Sequence, residues 1–241
     1  MLTAKNINKT YQGQEILKGI DIAIEPGKIT SLIGPSGAGK TTLLRVLSLL
    51  EKPEAGEISI DNDKYGFPLK NNHGIKNPYP KVSIVFQQLF LWPHLTIREN
   101  ILLPLKVKKI NRDAELNKFI DLFSMADFID SYPNQTSIGQ RQRAAIVRAL
   151  MLHPTYLFLD EITSSLDVEQ VNIILSHLNF VKESGVGVLI VTHLINFAEQ
   201  VSDKVIFMDG GKILEVGGKE ILKNPNHPRI KKFLSLVKNV S

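Results

Sequence analysis

Gly34-Pro35-Ser36-Gly37-Ala38-Gly39-Lys40-Thr41 follows the β-branched apolar run Ile29-Thr30-Ser31-Leu32-Ile33 and opens a helical pattern from Lys40. Strand, glycine-rich turn and helix in that order satisfy G-x-x-x-x-G-K-[ST] in the context this pattern requires. Each residue type has a physical reason. Glycines let backbone N–H groups close around phosphate oxygens, and the helix N-terminus adds favourable dipole charge. Lys40 reaches the β- and γ-phosphates, and the Thr41 hydroxyl suits Mg²⁺. The stretch predicts a nucleoside triphosphate site.

Working outward, Val82 to Phe86, Tyr156 to Leu159 and Val188 to Thr192 read as further buried strands, with helical patterns after Lys40, Thr96, Ser137, Asp167 and Leu194. Strands separated by helices imply a mainly parallel sheet covered on both faces. In such sheets ligands bind at the carboxyl ends of the strands. Three strands other than the phosphate-loop strand end in polar residues there: Gln87, the pair Asp160-Glu161, and His193. Asp160 is placed to hold Mg²⁺, and Glu161 to accept a proton from an attacking water. His193 is expected to touch the γ-phosphate.

Other stretches differ in pattern. Leu2 to Lys9 and Ile16 to Ile24 alternate like antiparallel strands, and Val205 to Val216 turns on Asp209-Gly210-Gly211 as a hairpin. Between Gln87 and Ser137 the pattern is mostly helical and predicts a lobe around 89–150. Residues 61–81, rich in Asp, Asn, Lys, Gly and Pro, read as a surface loop in which His73 is solvated. No linker or repeat divides the chain, so residues 1–241 are expected to form one domain.

Composition removes several classes of function. The 241 residues contain no cysteine, which excludes disulfides and thiolate metal sites. The apolar runs fall far short of the ~20 residues that span a bilayer, so the chain is expected to be soluble. A net charge of +5 raises the question of nucleic acid. The basic cluster Lys106-Val107-Lys108-Lys109 with nearby Arg112 has no interleaved aromatic platform and reads as a solvated helix face; no nucleic-acid partner is expected.

Thr136-Ser137-Ile138-Gly139-Gln140 precedes the arginine-rich helix running to Leu150, and Ser137 with Gln140 fits a capping box. The order of phosphate loop, Gln87, 136–140, Asp160-Glu161, Ser164-Ser165-Leu166-Asp167 and His193 resembles ABC ATPases over nearly the whole chain, residues 61–81 apart. The resemblance implies an α/β P-loop NTPase core with an N-terminal antiparallel β-subdomain and a helical subdomain. It implies catalytic roles for Glu161, His193, Gln87 and Lys40, and Mg²⁺ ligation by Thr41, Gln87 and Asp160. ATP contacts fall to Tyr11, stacking on adenine through its ring, to residues 34–41 of the phosphate loop (Gly34, Pro35, Ser36, Gly37, Ala38, Gly39, Lys40 and Thr41) and to Thr42. Ser137, Gly139, Gln140 and Asp167 act across a dimer of the chain with itself or a related subunit.

Val85-Phe86-Gln87-Gln88, Trp92-Pro93-His94-Leu95-Thr96, Glu99-Asn100 and the C-terminal Asn224-Pro225 further resemble the ATPases of polar amino acid importers. That resemblance implies membrane permease subunits, a separate substrate-binding protein and a peripheral place on the cytoplasmic face of the inner membrane. An exporter or lipoprotein-release ATPase is the alternative. A chromosome-organising ATPase is disfavoured by the lack of a sustained heptad run, and a nucleotide kinase has no use for 136–140. Four residues depart from the family pattern: Thr136 and Ile138 in the signature, Ile162 after Glu161, and Leu194 after His193.

Overall fold

The computed structural model describes residues 1–69, 75–107, 110–162 and 168–238, the side chains of 168–172 and 237–238 excepted. Ser164-Ser165-Leu166-Asp167, His73 and Lys108-Lys109 lie outside the described residues.

The chain runs β1 (Leu2–Tyr11), β2 (Gln14–Ile24), β3 (Ile29–Ile33), α1 (Lys40–Leu47), β4 (Ala55–Ile60), β5 (Asp63–Phe67) and β6 (Val82–Val85). It continues through α2 (Ile97–Val107), α3 (Asp113–Leu122), α4 (Ile138–Leu150), β7 (Tyr156–Asp160), α5 (Val168–Glu183) and β8 (Gly187–Val191). It ends with α6 (Ile195–Val201), β9 (Lys204–Asp209), β10 (Lys212–Gly217) and α7 (Pro228–Lys238).

A six-stranded sheet in the order β10-β9-β3-β8-β7-β6 forms the centre. All its strands are parallel to their neighbours except β10, which pairs antiparallel with β9. Strands β3, β7 and β8 are buried at every residue, which explains their unbroken apolar runs. The 204–216 hairpin forms as expected, and its first arm, β9, also joins the parallel sheet beside β3.

The second sheet, β2-β1-β4-β5, is antiparallel. Tyr11 pairs with Gln14, leaving Gln12-Gly13 as a two-residue turn with φ 48° and 82°. Positive φ at both positions is the type I′ turn whose twist suits a hairpin. Residues 61–81 correct the expectation of a surface loop, because β5 occupies Asp63–Phe67. Its Tyr65 and Phe67 face the core, and Asp61, at φ 55°, turns the chain from β4. Asp and Asn tolerate that backbone well, so a polar composition here marks a tight turn between strands.

Residues of α2, α4 and the 123–129 segment pack in one apolar core with Leu157, Val188 and Ile190 of the sheet. Helix α1 and the antiparallel sheet cover the opposite face, packing on Phe158 and Leu189. Among the described residues no helix is long and apolar enough to cross a membrane.

Asp203 fixes the start of the strand that feeds the phosphate loop. Its carboxylate accepts the Ile29 N–H at 2.8 Å and the Lys182 ammonium at 2.5 Å. Burial alone would raise its pKa, but those two donors outweigh burial and hold the carboxyl below its ordinary range. A depressed pKa stabilises the fold above the unfolded value and loses that stability as pH falls through the folded one. Asp203→Asn should therefore cost about 1–2 kcal/mol at neutral pH. Thermal unfolding against pH should show this deficit closing in acid, below about pH 4.

Candidate ATP site

The loop after β3 can close tightly because Gly34 has no side chain. Its φ is 155°, and a Cβ built there would lie 1.9 Å from the Met208 carbonyl oxygen of β9. Gly39, at φ 97°, is the N-cap of α1 and supplies no capping side chain, and no acid lies in the first turn. The first N–H groups of α1 thus lack a side-chain acceptor from the cap, the arrangement that favours an anion. Buried Lys40 donates to the Gly34 and Pro35 carbonyls at 2.8 and 2.9 Å. Burial pushes its ammonium below the usual lysine range, while the carboxylates of Glu161 and Asp160 pull the other way.

Asp160 ends β7 and is also buried. Thr41 Oγ1 donates to Asp160 Oδ1 at 3.2 Å. Burial raises the Asp160 pKa and the Glu161 charge adds to it, against the Thr41 bond and the Arg45 and Lys40 charges. A hydroxyl beside a carboxylate is a fitting partial donor set for Mg²⁺, which takes few protein ligands when phosphates and waters complete its shell. Glu161 has φ 49°, a sparsely populated conformation for a side chain of its size, and its N–H bonds Val191 O at 2.9 Å. Tyr11, Ser36, Lys40, Thr41, Thr42 and Glu161 are among the residues lining a cavity of about 360 Å³. Half-exposed His193 is not part of that lining but lies close to Glu161, with Nδ1 3.9 Å from Glu161 Oε2.

Other expected site residues stand apart. Gln87 is exposed beyond β6 and is not part of the cavity lining. Ser137 caps α4: its Oγ accepts the Gln140 N–H at 3.2 Å, and Gln140 Oε1 accepts the Ser137 N–H at 2.8 Å. Ile138 takes the first helical position and is 43% exposed, so the β-branched residue sits where φ is negative and its side chain has room. Ile162 is buried in the core shared with α4, and Leu194 is the N-cap of α6. Leu194 supplies no capping side chain and packs partly buried against the same core as Ile162, so packing accounts for both departures. Sequence reading missed Ile16, which lines the cavity from β2. It also missed Arg148, whose guanidinium grips the Leu89 and Phe90 carbonyls at 2.7 and 2.8 Å. Neither carries a local signal, since each acts on residues distant in sequence.

A phosphate loop, a buried carboxylate beside its threonine and a glutamate turned into the same cavity define a phosphate-loop ATPase. The family model described as ABC transporter matches residues 17–164. The chain is 42% identical to the L-cystine import ATP-binding protein TcyC of Bacillus subtilis, over 99% of both chains. It is 38% identical to the glutamine transport ATP-binding protein GlnQ of Escherichia coli, over 98% of this chain and all of that one. A dimeric ATP-binding cassette solved in a post-hydrolysis state with ADP and Pi superposes with a TM-score of 0.78 at 35% identity, covering 91% of this chain and 99% of that one. The chain belongs to the ABC transporter family and is an ATP-binding, ATP-hydrolysing subunit of it.

Gly34→Ala should lower stability by about 1–3 kcal/mol, the usual overpacking range. Gly37→Ala is the control, because its φ of 78° is strained but nothing lies within 4 Å of the new methyl. Thermal unfolding should rank Gly34→Ala well below Gly37→Ala, and ATP binding should fall in the same order.

Proposed function

We propose that this ATPase powers uptake of a polar amino acid through separate membrane permease subunits, as a dimer that sandwiches two MgATP. The observation that carries the catalytic reading is the 3.2 Å contact of Thr41 with Asp160, beside a Glu161 that lines the same cavity. In this reading Thr41 and Asp160 would hold Mg²⁺, and Gln87, which stands outside the cavity lining, would have to move in to join them. Bound there, the ion supplies charge neutralisation at the β- and γ-phosphate oxygens.

Lys40 exchanges its carbonyl partners for phosphate oxygens, and the 34–42 backbone and hydroxyls cradle the phosphates. Glu161 orients a water and takes its proton, while His193 contacts the γ-phosphate. Tyr11 stacks on the adenine ring. The exposed Ser137 and the Gly139 N–H reach the nucleotide of the partner copy, joined by Gln140 and Asp167. Residues 1–241 act as one unit, with the 89–150 lobe presenting the signature.

The dimer is supported by the family neighbour solved as a dimer with ADP and Pi. Amino acid uptake is supported by relatives whose names specify L-cystine, arginine and glutamine transport. Because those three substrates differ, the resemblance supports a substrate class and leaves the choice to the permease and a substrate-binding protein. The chain itself would sit peripherally on the cytoplasmic face of the membrane.

Glu161→Gln should retain ATP binding and lose steady-state hydrolysis by ~10²-fold or more, the scale of a lost general base. Size-exclusion chromatography with ATP should show a stable dimer, and near-parent turnover would remove Glu161 from the role. A mixed dimer of Lys40→Ala and Gly139→Asp copies tests the shared site, since it should retain one working site. If each variant alone kept full activity, each site would be self-contained.

A further inference from the structure

We propose that Glu51 is a positioning residue for the nucleotide base: it holds the Tyr11 hydroxyl and so fixes the ring that stacks on adenine. This rests on the stacking reading of Tyr11 above and extends it to a residue outside the cavity.

The geometry begins in the backbone. After α1 the chain reverses at Leu49, at φ 59°, and the N–H groups of Leu50 and Glu51 both donate to the Arg45 carbonyl at 3.0 and 3.2 Å. Glu51 is thereby brought back alongside α1. One carboxylate oxygen, Oε1, accepts from Arg45 Nη1 at 3.2 Å, and the other, Oε2, accepts the Tyr11 hydroxyl. Both oxygens are therefore engaged, one by a cation and one by the phenol. Hydrogen bonds to a charged acceptor are the stronger kind. Through Glu51 and Arg45 the phenol is thereby joined to the phosphate-loop helix.

The same loop fixes the strand end that carries the ring. Glu54 accepts the Thr10 N–H at 2.7 Å and the Lys9 ammonium at 3.0 Å, and Lys9 also donates to the Lys52 carbonyl at 2.7 Å. Lys9 Nζ lies 5.1 Å from the centre of the Tyr11 ring, a cation–π contact. Tyr11 lines the cavity of the phosphate loop on one side and, with Lys9, Glu51 and Glu54, a second surface cavity on the other. A ring 38% exposed at a hairpin tip would otherwise lose rotamer freedom only on binding. Glu51 and Lys9 remove that freedom beforehand, and preorganisation of this kind improves affinity without a new ligand contact. From sequence alone the hydroxyl has no role, since stacking needs only the ring; the structure gives it one.

The test uses the full chain, ADP titrated by calorimetry, and ATPase kinetics with MgATP. Freezing one side chain on binding corresponds to about 3- to 10-fold in affinity. Glu51→Ala and Tyr11→Phe should each weaken ADP by that factor and raise KM for ATP, with kcat at saturation unchanged. Because both remove one bond, Tyr11→Phe with Glu51→Ala should be no weaker than either alone. Glu51→Gln keeps an acceptor oxygen and should recover most of the affinity, which a purely structural role of the charge would not predict. Parent affinity in Glu51→Ala, full additivity in the double variant, or a loss in kcat with unchanged KM would each overturn the proposal. Tyr11→Ala separates the two readings: if it binds ADP as the parent does, stacking itself is wrong, whereas a weak Tyr11→Ala beside a silent Glu51→Ala rejects only the positioning role.

Discussion

The 3.2 Å approach of the Thr41 hydroxyl to the Asp160 carboxylate is the constraint on which the site depends. The two residues are 119 apart in sequence and follow strands that are not neighbours, since β8 lies between β3 and β7. What brings them together is register. Leu32 of β3 and Asp160 of β7 both pair with Val191 of β8, so the three strands end level. A slip of one residue in any of them would turn its side chains to the opposite face. Burial on both faces of these strands makes such a slip costly, and the apolar core thus sets how closely the hydroxyl and the carboxylate meet.

Electrostatics in the cavity follow from the same burial. Lys40 and Asp160 are both out of solvent, and each has its pKa moved towards the neutral form. Lys40 bonds neutral carbonyls, and Asp160 bonds a neutral hydroxyl. Burial outweighs the attraction between these charges and their neighbours, and buried charges that hydrogen-bond only neutral groups are expensive. The phosphate chain of a bound ATP would offset part of that cost at the lysine. The positive φ of Glu161 is a separate, backbone cost, held in place by its bond to Val191.

The arginine-rich helix has a structural function that its sequence does not announce. Arg143 grips the Phe123 and Ser124 carbonyls, each at 2.8 Å, and Arg148 grips those of Leu89 and Phe90. Through α4 the signature residues at its N-terminus are thereby tied to the segment just after Gln87. His177 of α5 bonds the neighbouring Leu122 carbonyl at 3.1 Å. Burial first, with the Arg143 charge adding to it, lowers the His177 pKa to about 4, against the pull of its bond to the Leu122 carbonyl, so it is neutral in that position at physiological pH.

Local chemistry was enough to read much of this protein. The phosphate loop, the acids ending β7 and the Ser137–Gln140 cap each lie within a few residues, so their geometry follows from backbone rules and side-chain type. The family order of those motifs then carried the fold. Three things required the folded chain. Strand β5 hid in a polar stretch because Tyr65 and Phe67 are buried only once β4 lies beside them. Strand β9 is one arm of the expected antiparallel hairpin, but its second partner, the parallel β3, is chosen by the whole sheet. The bond from Tyr11 to Glu51 spans 40 residues and depends on how the chain leaves α1. Residue types and short spacings determine which chemistry is available; only packing decides which distant groups meet, because those contacts are set by register and burial across the whole core.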